Sequence, residues 1–217
     1  MDEEAELTVP RLHFEILSQG QARLLPRLTP LRDRGFYLAG GTALALQLGH
    51  RTSVDFDFYS TEPFEPEPLL SEMNRLVKRT TQVQVKANTL ILECDKVQTS
   101  AFYYPYRLLK PPVETGDVLL ASVEDIAAMK IIAIIQRGRR RDFIDIYYLI
   151  AKFGLKRLLA LTERKYPDFN LYLALQALTY FEDAERENEI RTIRTRASWK
   201  IVKNSVTAEV KRFKDRL

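Results

Sequence analysis

The spacing of hydrophobic positions changes once along the chain. Up to about residue 110, short apolar runs and two-residue alternation predict strands that are separated by helices and turns. The predicted strands are 36–39, 54–59, 83–86, 89–94 and 97–104, with helices at 19–31, 42–48 and 69–78 and a loop at 61–68. Beyond residue 117 the spacing is helical, with predicted helices at 123–136, 142–153 and 155–165 and further helices up to residue 217. The pattern therefore predicts an α+β fold, in which a mixed sheet with flanking helices is followed by a helical C-terminal lobe.

Two clusters of turn residues separate these parts of the chain. Pro111-Pro112 and Gly116-Asp117 interrupt the periodic pattern where strands give way to helices. We therefore expect residues 1–116 to form an α/β core, and residues 117–217 to form a helical lobe.

Composition limits the class of protein but does not identify its function. The chain has 217 residues and a net charge of +4, which suits one compact domain or two small lobes. Its single cysteine, Cys94, has no partner for an internal disulfide, as is usual in a reducing compartment. The acidic N-terminus does not resemble a secretory signal, and Lys130 interrupts the longest apolar helix. We expect a cytoplasmic protein that has no membrane partner.

Two acidic residues in the strand at 54–59 point to a metal site. Alternation predicts Asp55 and Asp57 on one face of the strand and Val54, Phe56 and Phe58 on the other. Aspartate is a poor strand former, and two adjacent carboxylates repel each other unless a cation neutralises them. A shared divalent cation would explain the pair, although the wet face of an edge strand is an alternative.

A glycine pair lies between a strand and a helix shortly before these acids. Gly40-Gly41 would let a phosphate approach the backbone at the start of the helix, where free N–H groups point outwards. Thr42 is a candidate to cap the helix or to contact a phosphate oxygen, and Arg51 and Ser53 are candidates to bind a triphosphate. Taken alone, the glycine pair is also compatible with a simple tight turn.

The whole string from Leu38 to Phe58 is similar to a known signature. Leu38-Ala39-Gly40-Gly41-Thr42-Ala43-Leu44, followed by Arg51-Thr52-Ser53-Val54-Asp55-Phe56-Asp57, resembles the first motif of the nucleotidyltransferase superfamily, and in particular of its AbiEii/AbiGii toxin family. This resemblance implies that Asp55 and Asp57 are catalytic and bind Mg²⁺. It also implies that Gly40, Gly41, Thr42, Arg51 and Ser53 contact the nucleotide.

A second group of charged residues lies in the predicted helical lobe. Lys130 lies within an almost wholly apolar helix, where its ammonium must snorkel or meet an anion. Asp142 and Asp145 share a face of the next helix, although acids in a first helical turn also complement the helix dipole. The stretch from Leu120 to Lys130, with Arg137 and Arg141-Asp142-x-x-Asp145, resembles the second conserved block of the same family. The resemblance implies that Lys130 contacts phosphate, and that Asp142 or Asp145 orients a group or assists proton transfer.

The sequence departs from the family pattern at two positions. Many superfamily members carry a third carboxylate on a later strand, but the stretch from Val97 to Phe102 contains none, and Glu93 on the preceding strand is the candidate substitute. Arg141 stands where the family usually has lysine. These departures favour a single main Mg²⁺ over a two-metal mechanism, and they leave an inactive member of the family possible.

The resemblance implies the toxin of a toxin–antitoxin pair. Such an enzyme would transfer nucleotides from a nucleoside triphosphate to an acceptor, with the tRNA 3′ end as the expected acceptor and an antitoxin protein as a partner. Residues 185–217 contain ten Lys or Arg against five Asp or Glu, which suits an RNA backbone but also an ordinary solvated helix. Nucleotidylation of a protein or a small molecule, and a catalytically inactive nucleotide- or RNA-binding module, are the alternatives.

Overall fold

A seven-stranded mixed sheet forms the centre of the protein in the computed structural model, which describes residues 11–187 and 195–216. The strands are β1 (Tyr37–Ala39), β2 (Phe56–Ser60), β3 (Thr80–Lys86), β4 (Thr89–Cys94), β5 (Val97–Tyr103), β6 (Val113–Glu114) and β7 (Leu119–Leu120). Their order in the sheet is β3-β4-β5-β2-β1-β7-β6. Strand β2 is parallel to β5, strand β1 is parallel to β7, and the remaining neighbours are antiparallel.

Helices flank this sheet and make up most of the C-terminal half. The α-helices are α1 (Gln19–Leu24), α2 (Thr29–Asp33), α3 (Gly40–Leu48), α4 (Pro66–Leu76), α5 (Val123–Gln136), α6 (Arg140–Phe153), α7 (Leu155–Lys165), α8 (Leu171–Ala177), α9 (Glu182–Arg186) and α10 (Trp199–Lys214). Short 3₁₀ helices occupy Phe14–Ile16 and Leu25–Leu28. The predicted α+β fold with a mixed sheet and a helical C-terminal part is confirmed.

Residue chemistry explains the elements whose bounds the pattern predicted well. Strand β4 and helices α5 and α7 have the predicted bounds. Ser122 caps α5 because its side chain accepts a hydrogen bond from the backbone N–H of Asp125. Asn88, Asp95 and Lys96 adopt positive φ in the two hairpin turns around β4, which fall in the gaps between the predicted strands.

The local differences from the prediction include one helix, one strand start, one loop and two short strands. The predicted helix at 19–31 is divided into α1, a 3₁₀ helix and α2. Val54 was predicted on the apolar face of a strand, but β2 begins at Phe56 and Val54 is 43% exposed. The predicted loop at 61–68 ends earlier, because Pro66 starts α4 at a position where a missing N–H costs nothing. Strands β6 and β7 were not predicted, since two residues each are too few for a periodic pattern.

Strand β7 connects the helical part of the chain to the sheet. It pairs with β1 through Leu119 and Leu120, although both residues follow the predicted boundary at 116/117. That boundary falls in the turn between β6 and β7, and the division into two domains stays a prediction.

Two further expectations concern the surface of the protein. Within the residues that the structure describes, no helix is long and apolar enough to cross a membrane. Part of the basic C-terminal stretch forms α10, whereas Arg191 and Arg194 lie outside the described residues.

Candidate active site

A cavity of about 790 Å³ opens between one face of the sheet and the helical part of the chain. Its floor is formed by β2 and β5, and its walls are formed by α5, the start of α6 and the segment 166–170. Seven of the ten predicted site residues line it: Gly40, Gly41, Arg51, Ser53, Asp55, Asp57 and Lys130. Its volume is within the usual range of small-molecule sites, about 300 to 1,000 Å³.

The two predicted metal ligands lie at one end of this cavity. Asp57 is the second residue of β2, and Tyr59 lies on the same face of the strand, whereas Phe56 and Phe58 are fully buried on the other. Asp55 directly precedes the strand, and its backbone carbonyl accepts a hydrogen bond from the hydroxyl of Thr42. Thr42 is buried and does not line the cavity, and its side chain does not cap α3.

Both glycines of the pair are required by the side chains that pack on them. A Cβ on Gly40, whose φ is 66°, would lie 2.9 Å from Asp57 Oδ2. A Cβ on Gly41 would overlap the Arg51 guanidinium and lie 3.2 Å from Ser53 Oγ. The pair therefore lets a carboxylate and a guanidinium approach the start of α3, a role that the motif alone did not indicate.

The environment of Asp57 favours a bound cation. Burial, and then the nearby charge of Asp55, raise the pKa of Asp57 above its ordinary value. Among the described residues no hydrogen bond or ion pair reaches the Asp57 carboxylate, and the Arg141 guanidinium lies 3.6 Å from Asp55 Oδ2. No group of three or more His, Cys, Asp or Glu in the described part of the chain suits a metal. Two carboxylates nevertheless fit Mg²⁺, which usually binds one or two protein carboxylates together with substrate phosphates.

Lys130 reaches the cavity from within the apolar helix α5. Its Nζ lies 2.8 Å from Asp142 Oδ1 and 2.5 Å from Asp145 Oδ2, and only 5% of its side chain is exposed. The predicted anion for this lysine is therefore a pair of aspartates on α6, and both aspartates are fully buried. Asp142 and Asp145 lie behind Lys130 and do not line the cavity.

Asp145 also holds Arg51. The Arg51 side chain donates from Nε to Asp145 Oδ1 at 2.6 Å and from Nη2 to Oδ2 at 2.8 Å, and its Nη1 donates to the carbonyl of Thr52. Burial opposes ionisation of Asp145, but Arg51 and Lys130 outweigh it and hold the pKa of the carboxyl well below its ordinary value. Since 1% of the Arg51 side chain is exposed, its contact with a triphosphate stays a prediction.

His50 belongs to the same network, although the motif did not assign it a role. Its Nε2 lies 2.7 Å from Asp145 Oδ1, and its ring packs edge-on against Tyr148 at 5.0 Å. Burial lowers the pKa of His50, and the hydrogen bond with Asp145 only partly opposes that effect. His50, Arg51 and Lys130 thus surround one carboxylate.

Three arginines at the cavity wall carry charge that the sequence analysis left without a function. Arg137 hydrogen-bonds to Asp142, yet 46% of its side chain is exposed. Arg139 is 49% exposed and lies 3.7 Å from Glu187, and Arg141 lies beside Asp55. All three line the cavity. The run of arginines at 137–141 was the available signal, but an exposed turn has the same composition.

No acid stands beside Asp57 on the neighbouring strand. Ser100 is the β5 residue paired with Asp57 in the parallel register, and Gln98 precedes it on the same face of the strand. Glu93 pairs with Gln98 from β4, but it is exposed and does not line the cavity. In this register the β5 residues on the face of Asp57 are Ser100 and Gln98, and neither is a carboxylate.

Comparison with known proteins identifies similar sequences. A family model matches residues 23–115 and 97–216, which together cover most of the chain. The family is described as the nucleotidyl transferase AbiEii toxin of type IV toxin–antitoxin systems. An uncharacterized protein of Aquifex aeolicus (strain VF5) is 40% identical over 158 residues, which are 70% of this chain and 76% of that protein.

Comparison with solved structures identifies similar folds. JHP933 of Helicobacter pylori has a TM-score of 0.58 at 15% identity, with 95% of this chain and 94% of that chain covered. MenT4, a nucleotidyltransferase toxin of Mycobacterium tuberculosis H37Rv, has a TM-score of 0.56 at 13% identity, with 88% and 82% covered. At these identities the likeness concerns the fold alone.

Proposed function

The chain belongs to the AbiEii family of nucleotidyltransferase toxins, and on that premise we propose that it transfers nucleotide units from a nucleoside triphosphate to the 3′ end of tRNA. The observation that carries this proposal is that acidic and basic side chains line the same cavity. Asp55 and Asp57 lie at the start of α3, while Lys130 and Arg137 face the same space. Such an arrangement suits a substrate that is both anionic and metal-bound.

The triphosphate would lie between the start of α3 and the cations of the helical part. The backbone at Gly40 and Gly41 carries the free N–H groups and the positive dipole end of a nine-residue helix. Lys130 and Arg137 would bind phosphate oxygens opposite it. Because Asp142 and Asp145 hold the Lys130 ammonium from behind, we assign these two aspartates to positioning rather than to proton transfer.

Asp55 and Asp57 would hold Mg²⁺. Bound there, the ion would supply Lewis-acid stabilisation of charge on the phosphate that is attacked. The raised pKa of Asp57 and its lack of a partner among the described residues support this assignment, since a cation would remove the repulsion from Asp55. The acceptor hydroxyl would attack the α-phosphate in line, and pyrophosphate would leave towards Lys130.

A tRNA acceptor agrees with the charge at the cavity wall. Arg137 and Arg139 are about half exposed, so both are available to contact a nucleic-acid backbone. Membership of a toxin family also implies a cognate antitoxin protein that neutralises the enzyme.

The test is incubation of the purified protein with each radiolabelled nucleoside triphosphate, Mg²⁺ and total tRNA. We expect label to enter tRNA with the native chain and not with Asp57→Asn, which keeps the side-chain shape but removes the charge. Asp33→Asn is the matched control, because Asp33 is an exposed aspartate outside the cavity. Label in a protein or a small molecule instead of tRNA would keep the transferase chemistry and overturn the acceptor.

An inactive nucleotide-binding module is the second candidate, and one observation favours it. Ser100 stands beside Asp57 where a third acid would complete a two-metal site. Triphosphate that binds but is never transferred to tRNA, protein or small molecules would establish this second candidate.

A further inference from the structure

Five aromatic rings form a continuous surface on one side of the cavity. This aromatic wall consists of Tyr59, Phe102, Tyr104, Tyr106 and Tyr166. Ring centroids are 5.7 Å apart for Tyr59 and Phe102, and 5.3 Å apart for Tyr59 and Tyr104. Tyr106 lies 4.9 Å from Tyr104 and 4.7 Å from Tyr166. The rings come from β2, from the end of β5 with the segment that follows it, and from the segment after α7.

The wall begins one row away from the proposed metal ligands. In the parallel register of β2 and β5, Asp57 is paired with Ser100, and the next row on the same face pairs Tyr59 with Phe102. Successive residues on one face of a strand are roughly 6 to 7 Å apart. The charged end of the cavity therefore passes directly into an aromatic end, at about the distance that separates a phosphate from a base across a ribose.

The wall is uncharged and only partly covered by protein. Four of its rings, those of Tyr59, Phe102, Tyr104 and Tyr106, are half-buried in the free protein, so each leaves surface on the cavity side. The Tyr104 and Tyr166 hydroxyls are hydrogen-bonded at 2.5 Å, and burial raises the pKa of Tyr104 to about 12, which keeps that phenol neutral. A neutral aromatic surface suits a flat apolar ring and not a phosphate.

A buried ion pair fixes the segments that carry these rings. Lys165 Nζ lies 2.7 Å from Asp125 Oδ1 and also donates to the carbonyl of Arg107. Asp125 in turn accepts from the backbone N–H groups of Leu109 and Lys110. Both charged side chains are fully buried, so the segment that carries Tyr104 and Tyr106 is held against α5 and α7 without depending on a ligand.

We propose that the aromatic wall binds the nucleobase of the nucleoside triphosphate by stacking. This proposal rests on the function proposed above. Every nucleobase has a flat π-face, so stacking on such a wall adds affinity for all four bases. The phosphates are then held by charge at one end of the cavity and the base by aromatic contact at the other.

A binding experiment with ligands that have or lack a nucleobase tests this proposal. Isothermal titration calorimetry in the presence of Mg²⁺ would measure the binding of two kinds of ligand. The first are α,β-methylene analogues of the four nucleoside triphosphates, which cannot be turned over. The second is inorganic tripolyphosphate, which has no base. For Tyr106→Ala we expect roughly tenfold or greater weakening with all four analogues, and no change with tripolyphosphate. Tyr106→Phe keeps the ring and should bind like the native protein.

A control and a second variant keep the result interpretable. Tyr180→Ala removes a tyrosine that is 49% exposed and does not line the cavity, so it should leave both ligands unaffected. Phe102→Leu changes the wall within β5, whereas Tyr106 lies in the segment after that strand. It replaces Tyr106→Ala if thermal melting shows that variant to be unfolded.

Three results would overturn the proposal in distinguishable ways. Unchanged binding of the analogues by the wall variants would remove the nucleobase from the wall. Equal weakening of analogues and tripolyphosphate would show a general disturbance of the cavity instead of a base contact. If the native protein bound neither ligand, the function proposed above would fail and the nucleobase site with it.

Discussion

Arg51 and Asp145 are 94 residues apart in the chain, yet they form a two-point ion pair from which solvent is excluded. The bonds join Nε to Oδ1 at 2.6 Å and Nη2 to Oδ2 at 2.8 Å. Lys130 shares the same carboxylate at 2.5 Å. One side chain of α6 therefore orients a residue of the first motif and a residue of the second.

Removing the charge of Asp145 should cost more stability than removing that of Asp142. Asp145→Asn leaves two buried cations without their shared anion, and breaking a buried pair costs about 3 to 5 kcal/mol. Asp142→Asn should cost less, because Arg137 is 46% exposed and water can solvate it. Denaturant unfolding of both variants measures the difference, and equal losses would contradict this account of the network.

Gly41→Ala should destabilise the protein and disturb the active site together. The new methyl group would overlap the Arg51 guanidinium, which its bonds to Asp145 prevent from moving freely. We expect a loss of about 1 to 3 kcal/mol, the usual cost of overpacking, together with weaker triphosphate binding.

Gly20→Ala is the matched control for Gly41→Ala. Neither glycine has a positive φ, and the nearest neighbour of a Cβ on Gly20 is an ordinary contact at 3.5 Å. Thermal melting should show no loss for Gly20→Ala. A similar loss in both variants would contradict the role given to the overlap with Arg51, since alanine at a negative φ is not itself destabilising.

Asp57→Asn should stabilise the metal-free protein at neutral pH. Burial and the charge of Asp55 raise the pKa of Asp57, so the folded state holds this proton more tightly than the unfolded state does. The stabilisation from that proton is present at low pH and is lost as pH rises through the raised pKa. At neutral pH Asp57 therefore destabilises the metal-free fold, and asparagine removes that cost.

Magnesium should reverse the order of stability of these two proteins. It should raise the melting temperature of the native chain, by an amount that grows with its concentration relative to its dissociation constant, and should have little effect on Asp57→Asn. The gain for the native chain should shrink as pH falls, because a proton then competes for Asp57. Melting curves in EDTA and in Mg²⁺ test this, and an equal gain in both proteins would place the ion elsewhere.

Lys165→Met should be strongly destabilising, whereas Arg186→Met should be close to neutral. Lys165 and Asp125 are both 0% exposed, so removing the lysine leaves a buried carboxylate without its counter-ion, at about 3 to 5 kcal/mol. The ion pair of Arg186 with Glu182 is largely solvated and of a kind worth at most about 1 kcal/mol. Denaturant midpoints for the two variants measure this contrast, and similar midpoints would remove Lys165 from the group of residues that hold the fold together.

Local chemistry made much of the fold predictable from the sequence. Ser122 supplies the cap that starts α5, and the turn residues Asn88 and Asp95 delimit β4. The alternation placed Val54 in a strand, but a side-chain pattern does not show where backbone pairing starts. Strand β7 was missed because its two residues pair only in the context of β1.

The candidate site was predictable as a set of residues but not as a set of contacts. Motif spacing brought Asp55, Asp57 and Lys130 to notice, and all three line one cavity. Nothing in the sequence indicates that Arg51 bonds to Asp145, since partners so far apart meet only through the tertiary fold. The aromatic wall escaped notice for the same reason, because its rings come from three separate segments.

The turn between β6 and β7 has a practical consequence. Gly116 is exposed there, with no atom close to the position of a Cβ, so a chain break at 116/117 would disturb little packing. Each fragment would then hold half of the Arg51–Asp145 pair and half of the β1–β7 pairing. Neither would contain a complete site, so a gene split at this codon would keep the toxin harmless in each of two host strains until the halves are mixed.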